Sequence, residues 1–297
     1  MDALLFALLA GALAGGSNVA TRIGLRRAPD VEAAALTMTV ASLLVAIIAA
    51  AATTRQPAAW QELWPYLVVG VFAPGLVSII FVWGVREAGP SRTAVLINTF
   101  PLFAAGLAIV FLDEPLRLGL ALGTLLVVVG AIGITRAGDV PADIRGTAFR
   151  LALVATVAGA LIIGARDTVV RWASEEQEIS ALVAATATLL SGSGTILLYL
   201  VLKRGGLSPL VRVRRAVGPF GAIGVLIGAN TLLIFEALER GRVTVVSPLI
   251  GTASLWTLVF SVVVLGKSEA LSKRVIAAAV VIAAGVALIG VTRGSGS

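Results

Sequence analysis

The sequence contains no cysteine and no histidine, and only 13% of its 297 residues carry a charged side chain. These absences exclude disulfides, thiolate nucleophiles, histidine haem ligation and the common zinc sites. Soluble domains have about 25% charged and about 45–50% apolar residues. A hydrophobic content of 58% and a mean hydropathy of +1.02 therefore exclude both a water-soluble globular protein and a disordered chain. We expect no metal ion and no cofactor.

Long apolar stretches make up most of the chain. A transmembrane helix needs about 20 predominantly apolar residues, and ten stretches of that length follow one another. They are numbered span 1 to span 10 and lie roughly at 3–22, 33–53, 64–85, 91–112, 117–136, 147–169, 179–202, 215–237, 243–265 and 271–292. The run 120–134 is apolar on every side, whereas barrel strands would alternate apolar and polar residues. The sequence predicts an all-α membrane protein with ten transmembrane helices.

Short patterns recur in the same order in the two halves of the chain. Asn18…Arg22 recurs as Asp167…Arg171 at an offset of 149, and three later patterns recur at offsets of 152, 155 and 157. The later patterns are Glu87-Ala88-Gly89 with Glu239-Arg240-Gly241, Glu114-Pro115-Leu116 with Glu269-Ala270-Leu271, and Gly133–Arg136 with Gly290–Arg293. The sequence predicts a five-helix repeat at 1–136, a polar linker at 137–146 and a second five-helix repeat at 147–297.

A repeat of five helices has a consequence for topology. Because five is odd, the second repeat enters the membrane from the opposite side, and inverted repeats are a recurring feature of secondary transporters. A duplication that only enlarges a bundle is one alternative, and a receptor or scaffold is another. The sequence has no ATP-binding loop motif, which argues against a primary pump. It also lacks the nucleophile with a base, or the pair of deep aspartates, that an intramembrane enzyme would need. We expect a secondary transporter that works by alternating access, and no enzymatic activity.

Basic residues are distributed unevenly between the two sets of loops. Connections that follow odd-numbered spans carry 16 lysines and arginines, and the other connections with the termini carry 7. Since basic residues in short loops mark the cytoplasmic side, both termini are predicted to lie outside. The strongest cytoplasmic anchor is the basic cluster Lys203, Arg204, Arg212, Arg214 and Arg215. Anionic lipid accounts for the net charge of +7, so no nucleic-acid partner is expected.

Several motifs resemble those of the EamA family in the drug/metabolite transporter superfamily. Gly15-Gly16-Ser17-Asn18 in span 1 resembles the family's glycine-serine-asparagine stretch, and Pro101 with Leu112-Asp113-Glu114 resembles the end of an EamA repeat. The segment 246–250 echoes this in the second half. The resemblance implies a carrier of small metabolites, often an exporter, and we expect the protein in a bacterial inner membrane. It also implies a central cavity lined by spans 1, 3, 4, 6, 8 and 9, with spans 5 and 10 at the periphery.

Ionisable side chains within the spans are candidates for function. Asn18 and Arg22 lie four residues apart on one helix face, as do Asp167 and Arg171, with Arg166 adjacent. A charged group within a span costs several kcal/mol unless it is paired or hydrated. The alternative is that these side chains, near helix ends, snorkel or form local ion pairs. Arg22 also stands near a position where the family often has a basic residue.

Two carboxylates are candidates for proton coupling because histidine is absent. Glu236 lies near the end of span 8, and Asp167 lies in span 6. The alternative for Glu236 is an ion pair with Arg240, four residues further on. Asn98 in span 4 and Asn230 in span 8 lie deep, and an amide in hydrocarbon needs a hydrogen-bond partner. Trp256 lies at mid-depth in span 9. The predicted substrate-binding or cavity residues are Ser17, Asn18, Arg22, Asn98, Arg166, Asp167, Asn230 and Trp256.

Prolines and acidic residues near helix ends receive structural roles. Pro74, Pro101 and Pro248 lie inside spans 3, 4 and 9 and are predicted hinges, because each removes a backbone donor. Glu114 and Glu269 precede spans 5 and 10, and each is predicted to meet the positive end of the dipole of the helix that follows it.

Glycines in spans 5 and 10 predict close helix contact. They are Gly123, Gly130, Gly133, Gly285 and Gly290. Intrachain packing, and hence a monomer, is favoured over a homodimer. The partners are therefore the lipid bilayer and a small-molecule substrate. The arginines and amides suit a substrate with a carboxylate, such as an amino acid. The alternative is a multidrug exporter of lipophilic cations that uses Asp167 or Glu236 as the counter-charge.

Overall fold

The chain was analysed as a computed structural model that describes residues 2–27, 30–53, 59–88, 93, 96–136, 147–177, 179–204, 208–265 and 273–294. All regular secondary structure within these ranges is helical. The helices are α1 (Ala3–Arg27), α2 (Val31–Thr53), α3 (Trp60–Gly70), α4 (Val77–Ala88), α5 (Phe100–Phe111), α6 (Leu118–Arg136), α7 (Thr147–Glu176), α8 (Ala181–Arg204), α9 (Ser208–Arg240), α10 (Val243–Ile250), α11 (Ala253–Leu265) and α12 (Lys273–Gly294).

Most of the predicted spans coincide with apolar helical segments. Within the described ranges, seven segments are long and apolar enough to cross a membrane: Ala3–Thr21, Glu32–Thr53, Trp60–Phe81, Thr147–Glu176, Ala181–Lys203, Ala216–Arg240 and Val243–Val264. Shorter apolar helices lie at Phe100–Phe111, Leu118–Gly133 and Ile276–Ile289, within predicted spans 4, 5 and 10. Large apolar side chains such as Val110 and Val263 are 70% and 74% exposed. The prediction of an all-helical, multi-pass membrane protein is confirmed.

Predicted span 3 is interrupted. Helices α3 and α4 are joined by a kinked segment, Val71–Leu76, in which Ala73 leaves helical geometry with φ −138° and ψ 108°. Pro74 follows it and supplies no N–H to the helical ladder. The proline ring packs against α8 at Gly192, where an added Cβ would lie 2.6 Å from Pro74 Cγ. The break is therefore held in place by a neighbouring helix.

Predicted spans 4 and 9 are interrupted at matching points. In span 9, a turn at Gly251–Thr252 separates α10 from α11, and in span 4 a turn at Asn98–Thr99 precedes α5. In each turn the threonine hydroxyl donates to the carbonyl three residues earlier: Thr99 Oγ1 to Leu96 O and Thr252 Oγ1 to Leu249 O, both at 2.6 Å. The positions differ by 153, within the range of offsets of the sequence repeats. Pro101 thus lies in the first turn of α5 and Pro248 lies within α10.

The first helix of each repeat packs against the interrupted span of the other repeat. A Cβ added to Gly15 of α1 would lie 2.5 Å from Trp256 Cβ in α11. A Cβ added to Gly164 of α7 would lie 2.9 Å from Phe103 Cβ in α5. These glycines are 149 apart in sequence and their partners are 153 apart. The two halves are therefore joined by two equivalent close contacts that only glycine permits.

Helices α6 and α12 form a separate close pair. A Cβ on Gly285 would lie 2.7 Å from the carbonyl oxygen of Gly123, and a Cβ on Gly130 would lie 2.5 Å from Ile282 Cγ1. Gly133 approaches Ala278 of the same partner helix. Gly123, Gly130, Gly133 and Gly285 thus serve packing within the chain, the interpretation that the sequence favours, whereas the surroundings of Gly290 lie outside the described part of the chain.

Candidate functional site

The interrupted spans 4 and 9 cross at their breaks. Asn98 Nδ2 donates a hydrogen bond to Ser254 Oγ at 3.0 Å, and a Cβ on Gly251 would lie 3.1 Å from Pro101 Cγ. Helices α5 and α11 begin at this crossing, and the carbonyls of Thr99 and Thr252 in the two turns accept hydrogen bonds from Leu102 N and Leu255 N in the first turns of these helices. Transporters use such interrupted helices to bind polar groups near mid-membrane. The crossing joins one repeat to the other through side chains that are 156 residues apart.

A buried carboxylate joins α7 to α10. Asp167 is fully buried, and its Oδ1 accepts hydrogen bonds from Arg166 Nε at 2.9 Å and Nη2 at 2.6 Å. Its other oxygen, Oδ2, accepts from Ser247 Oγ at 2.6 Å. The Arg166 side chain is 19% exposed. The charge of Asp167 is therefore balanced by a guanidinium that is itself partly accessible. The structure brings together the predicted Arg166 and Asp167.

Asn18 and Ser17, although adjacent, make different contacts. Asn18 is exposed, and its Nδ2 donates to Thr257 Oγ1 in α11 at 3.1 Å. Ser17 is buried, and its hydroxyl donates to the carbonyl of Leu13 in the preceding turn at 2.8 Å. Asn18 therefore lies at the contact between α1 and α11. The Ser17 hydroxyl is used by the backbone of its own helix.

Asn230 in α9 carries a buried polar atom without a partner. Its Oδ1 accepts no hydrogen bond from the described part of the chain, and an unsatisfied buried acceptor costs about 1–3 kcal/mol. Trp256, the other deep candidate, stacks on Phe260 with ring centroids 6.0 Å apart and an interplanar angle of 27°. Asn230 is thus the amide that needs a donor from water or a ligand, whereas Trp256 is packed against its neighbours.

Charged side chains near the end of α9 are paired. Glu236 forms an ion pair with Arg240 one turn later, and the Arg240 guanidinium lies 5.1 Å from the ring centre of Phe6. Arg171 of α7 donates to the carbonyls of Leu238 and Glu239 at 3.2 and 2.6 Å. These are carbonyls of the last turn of α9, where a cation is favoured by the helix dipole. The ion pair is the alternative that the sequence left open for Glu236.

Glu114 meets the positive end of a different helix from the predicted one. Helix α6 begins at Leu118, and the buried Glu114 carboxylate accepts from Val243 N at 2.7 Å and from Thr244 N and Oγ1 at 3.0 and 2.6 Å. Asp113 has a φ of 51°, a left-handed conformation that aspartate tolerates. We infer that this turn directs Glu114 toward α10. The prediction that Glu114 meets the positive end of a helix is therefore confirmed, but the predicted helix, α6, was wrong, since the carboxylate caps α10.

Sequence reasoning missed Ser247, Thr244 and Thr257 as contact partners. The signal available for them is a set of hydroxyl side chains in an otherwise apolar span 9. Some predicted features lie outside the described residues: the linker 137–146, Glu269, and the side chains of Arg22, Arg204, Arg212, Arg214 and Arg215. Within the described part of the chain, no group of three or more acidic side chains could hold a metal ion.

Comparisons with known proteins agree with this architecture. The family model of the EamA-like transporter family matches residues 1–136 and 150–291, which correspond to the two repeats. A solved structure, described only as the crystal structure of a protein, matches with a TM-score of 0.74 and 22% identity over 99% of both chains. At that identity the likeness shows the fold alone. No curated protein matches the chain. The chain therefore belongs to the EamA-like transporter family of the drug/metabolite transporter superfamily and is a membrane transporter built from two repeats.

Proposed function

We propose that this protein is a secondary active transporter that exports a small polar metabolite, an amino acid or a similar compound, by alternating access. In this proposal ten helices cross a bacterial inner membrane as two inverted five-helix repeats, at 1–136 and 147–297, with both termini outside. The ten spans comprise the seven long apolar segments and the three shorter apolar helices.

The crossing of the interrupted spans is the observation that carries this proposal. The Asn98–Ser254 hydrogen bond joins two breaks that have the same threonine–carbonyl bonds and equivalent positions in their repeats. Alternating access by inverted repeats is a rocking of one repeat against the other about a site near the bilayer midplane. A contact between equivalent breaks supports such a site, because it lies where the two repeats meet.

The polar groups of the predicted cavity spans suit a zwitterionic substrate. Arg166 and Asn18 provide donors for a substrate carboxylate, and the unpartnered Oδ1 of Asn230 provides an acceptor for a substrate ammonium. Asn18, Asn98, Arg166 and Asn230 lie on predicted spans 1, 4, 6 and 8, which line the cavity according to the family resemblance. Arg22 is the remaining proposed contact, whereas Ser17 and Trp256 are proposed to shape the cavity through packing, and Pro74, Pro101 and Pro248 are the proposed hinges.

Proton coupling is proposed to use Asp167 or Glu236. Asp167 links Arg166 to Ser247 on α10, so its protonation would release Arg166 for the substrate carboxylate and loosen α7 from α10. The ion pair between Arg166 and Asp167 argues against the alternative of a multidrug exporter of lipophilic cations. A carboxylate already neutralised by an adjacent guanidinium is a poor counter-charge for a lipophilic cation.

Flux measurements in liposomes test the proposal. The purified protein is reconstituted and assayed with a labelled panel of amino acids and small metabolites, with and without a pH gradient. We expect gradient-stimulated flux of at least one zwitterionic solute, and loss of the stimulation in Asp167→Asn or Glu236→Gln. The matched control is Glu175→Gln, because Glu175 is 52% exposed in its ion pair with Arg171. Absence of flux for every solute would refute the proposed substrate class, and flux indifferent to the gradient would refute proton coupling.

A further inference from the structure

A cavity of about 220 Å³ lies between α2, α4 and α8. A cavity needs about 10–15 Å³ to hold one water molecule, so this one has room for an organic group. Its apolar wall includes Ile79 and Ile80 of α4 and Ile196 of α8. The transport proposal uses none of these residues.

Two opposite charges stand in the wall of this cavity. Lys203 in the last turn of α8 forms an ion pair with Glu32 in the first turn of α2. Each charge is at the helix end that its sign favours, since helix dipoles attract anions at the N-terminus and cations at the C-terminus. The Lys203 side chain is 36% exposed and that of Glu32 is 13% exposed. Both charges are therefore paired with each other and still accessible from the cavity side.

Aromatic rings stand beside this ion pair. Trp83 and Tyr199 line the cavity, and Lys203 Nζ lies 5.4 Å from the centre of the Tyr199 ring. Lysine, tryptophan and tyrosine together mark the headgroup level of a membrane, where an aromatic ring has one apolar side and one wet side. Leu202, next to Lys203, is 73% exposed, so this end of α8 faces the surrounding lipid. The cavity thus has an apolar interior and a charged rim at an interface with the bilayer.

We propose that this cavity binds one phospholipid with a zwitterionic headgroup that carries a primary ammonium, as in phosphatidylethanolamine. Its phosphate contacts Lys203, its ammonium donates to the Glu32 carboxylate, and part of an acyl chain occupies the space beside the isoleucines. Charge complementarity selects this occupant. A lipid without a cationic group would bring its negative phosphate close to the Glu32 carboxylate with no positive charge of its own to offset the repulsion. A zwitterionic headgroup offers an anion to Lys203 and a cation to Glu32.

Lipid binding to the full chain tests this proposal without measuring transport. The detergent-purified protein is titrated with dioleoyl phosphatidylethanolamine or dioleoyl phosphatidylglycerol, and occupancy is counted by native mass spectrometry. We expect at least threefold higher occupancy of a single site by the ethanolamine lipid. Glu32→Gln should reduce that ratio to about one, because the ammonium loses its ionic acceptor. Lys203→Met should lower the occupancy of both lipids, and Lys203→Arg should restore the phosphate contact.

Two controls distinguish a lipid site from a general effect of surface charge and from binding of the headgroup alone. Glu175→Gln, which removes an exposed carboxylate outside the cavity, should leave the ratio as in the wild type. Soluble glycerophosphoethanolamine at the same concentration should not bind, since it has the headgroup but no acyl chain. Equal occupancy by the two lipids in the wild type would overturn the proposal, as would a ratio unchanged in Glu32→Gln. Binding of the soluble headgroup as tight as that of the lipid would also overturn it.

Discussion

The carboxylate of Glu114 lies 2.7 Å from the backbone nitrogen of Val243, 129 residues later in the chain. Glu114 belongs to the loop before α6 in the first repeat, and Val243 begins α10 in the second. Every residue of the eight-residue helix α10 is buried, and Ser247 near its middle is bound to Asp167 of α7. The first half of interrupted span 9 is thus held by carboxylates from both repeats.

Replacement of Glu114 by glutamine tests this contact. The carboxylate accepts three hydrogen bonds, from Val243 N, Thr244 N and Thr244 Oγ1, whereas an amide directs its NH2 group toward donors. We expect Glu114→Gln to lower the free energy of unfolding by about 1–3 kcal/mol, the range for leaving buried donors unsatisfied. Thermal unfolding of the purified protein in detergent, followed by tryptophan fluorescence, measures the loss of stability.

The matched control for Glu114 is an exposed acid at a helix end. Glu175 is 52% exposed in an ion pair one helical turn from Arg171, and exposed pairs of this kind are worth about 0.3–0.5 kcal/mol. Glu175→Gln should therefore leave the unfolding temperature nearly unchanged. If both variants lose the same stability, the Glu114 contact has no special role in holding α10.

Two adjacent glycines of α1 offer a second test. A Cβ on Gly15 would lie 2.5 Å from Trp256 Cβ and 2.7 Å from the backbone nitrogen of Thr257, while the nearest atom to a Cβ on Gly16 is a ring carbon of Phe260 at 3.7 Å. Gly15→Ala should destabilise the protein by about 1–3 kcal/mol, as overpacking does. Gly16→Ala should be neutral or stabilise it by up to about 1 kcal/mol through helix propensity. Comparable unfolding temperatures for the two variants would contradict the close contact between α1 and α11.

The architecture could be predicted from the sequence because its signals are local or repeated. Apolar runs of about 20 residues predict membrane helices from composition alone, and the recurrence of Asn18…Arg22 as Asp167…Arg171 indicates two halves. The pairing of Glu236 with Arg240 was also visible as an alternative, since residues four apart meet on a helix face. Such features need no knowledge of how distant helices pack.

The contacts between the repeats could not be predicted in this way. Asn98 and Ser254 are 156 residues apart, and their hydrogen bond depends on where two interrupted helices cross. Proline at positions 74, 101 and 248 indicates that a helix is disturbed, but not whether the helix kinks, starts anew or continues past the proline. Glu114 shows the same limit. A carboxylate near a helix start is predictable, whereas the helix that it caps depends on the turn at Asp113 and on tertiary packing.

A double-mutant cycle tests the Arg166–Asp167 pair. Asp167 is fully buried and Arg166 supplies the cation that balances it at 2.6 Å. Arg166→Gln leaves the carboxylate without its cation and should cost about 3 kcal/mol in the free energy of unfolding, as the breaking of buried ion pairs does. In an Asp167→Asn background the same substitution should cost much less. If the loss of stability in the double variant equals the sum of the losses in the two single variants, the two groups are energetically independent.

A cross-link between the two interrupted spans tests whether they move against each other. The chain contains no cysteine, so Asn98→Cys and Ser254→Cys introduce the only two thiols. The side chains that they replace are hydrogen-bonded at 3.0 Å, within reach of a disulfide or a short bis-thiosulfonate reagent. If the two interrupted spans separate at this crossing during transport, the cross-link should reduce flux in liposomes at least tenfold, and a reductant should restore it. Each single-cysteine variant should show the same flux before and after treatment with these reagents. Undiminished flux through fully cross-linked protein would show that the contact stays closed throughout transport and that the rocking occurs elsewhere.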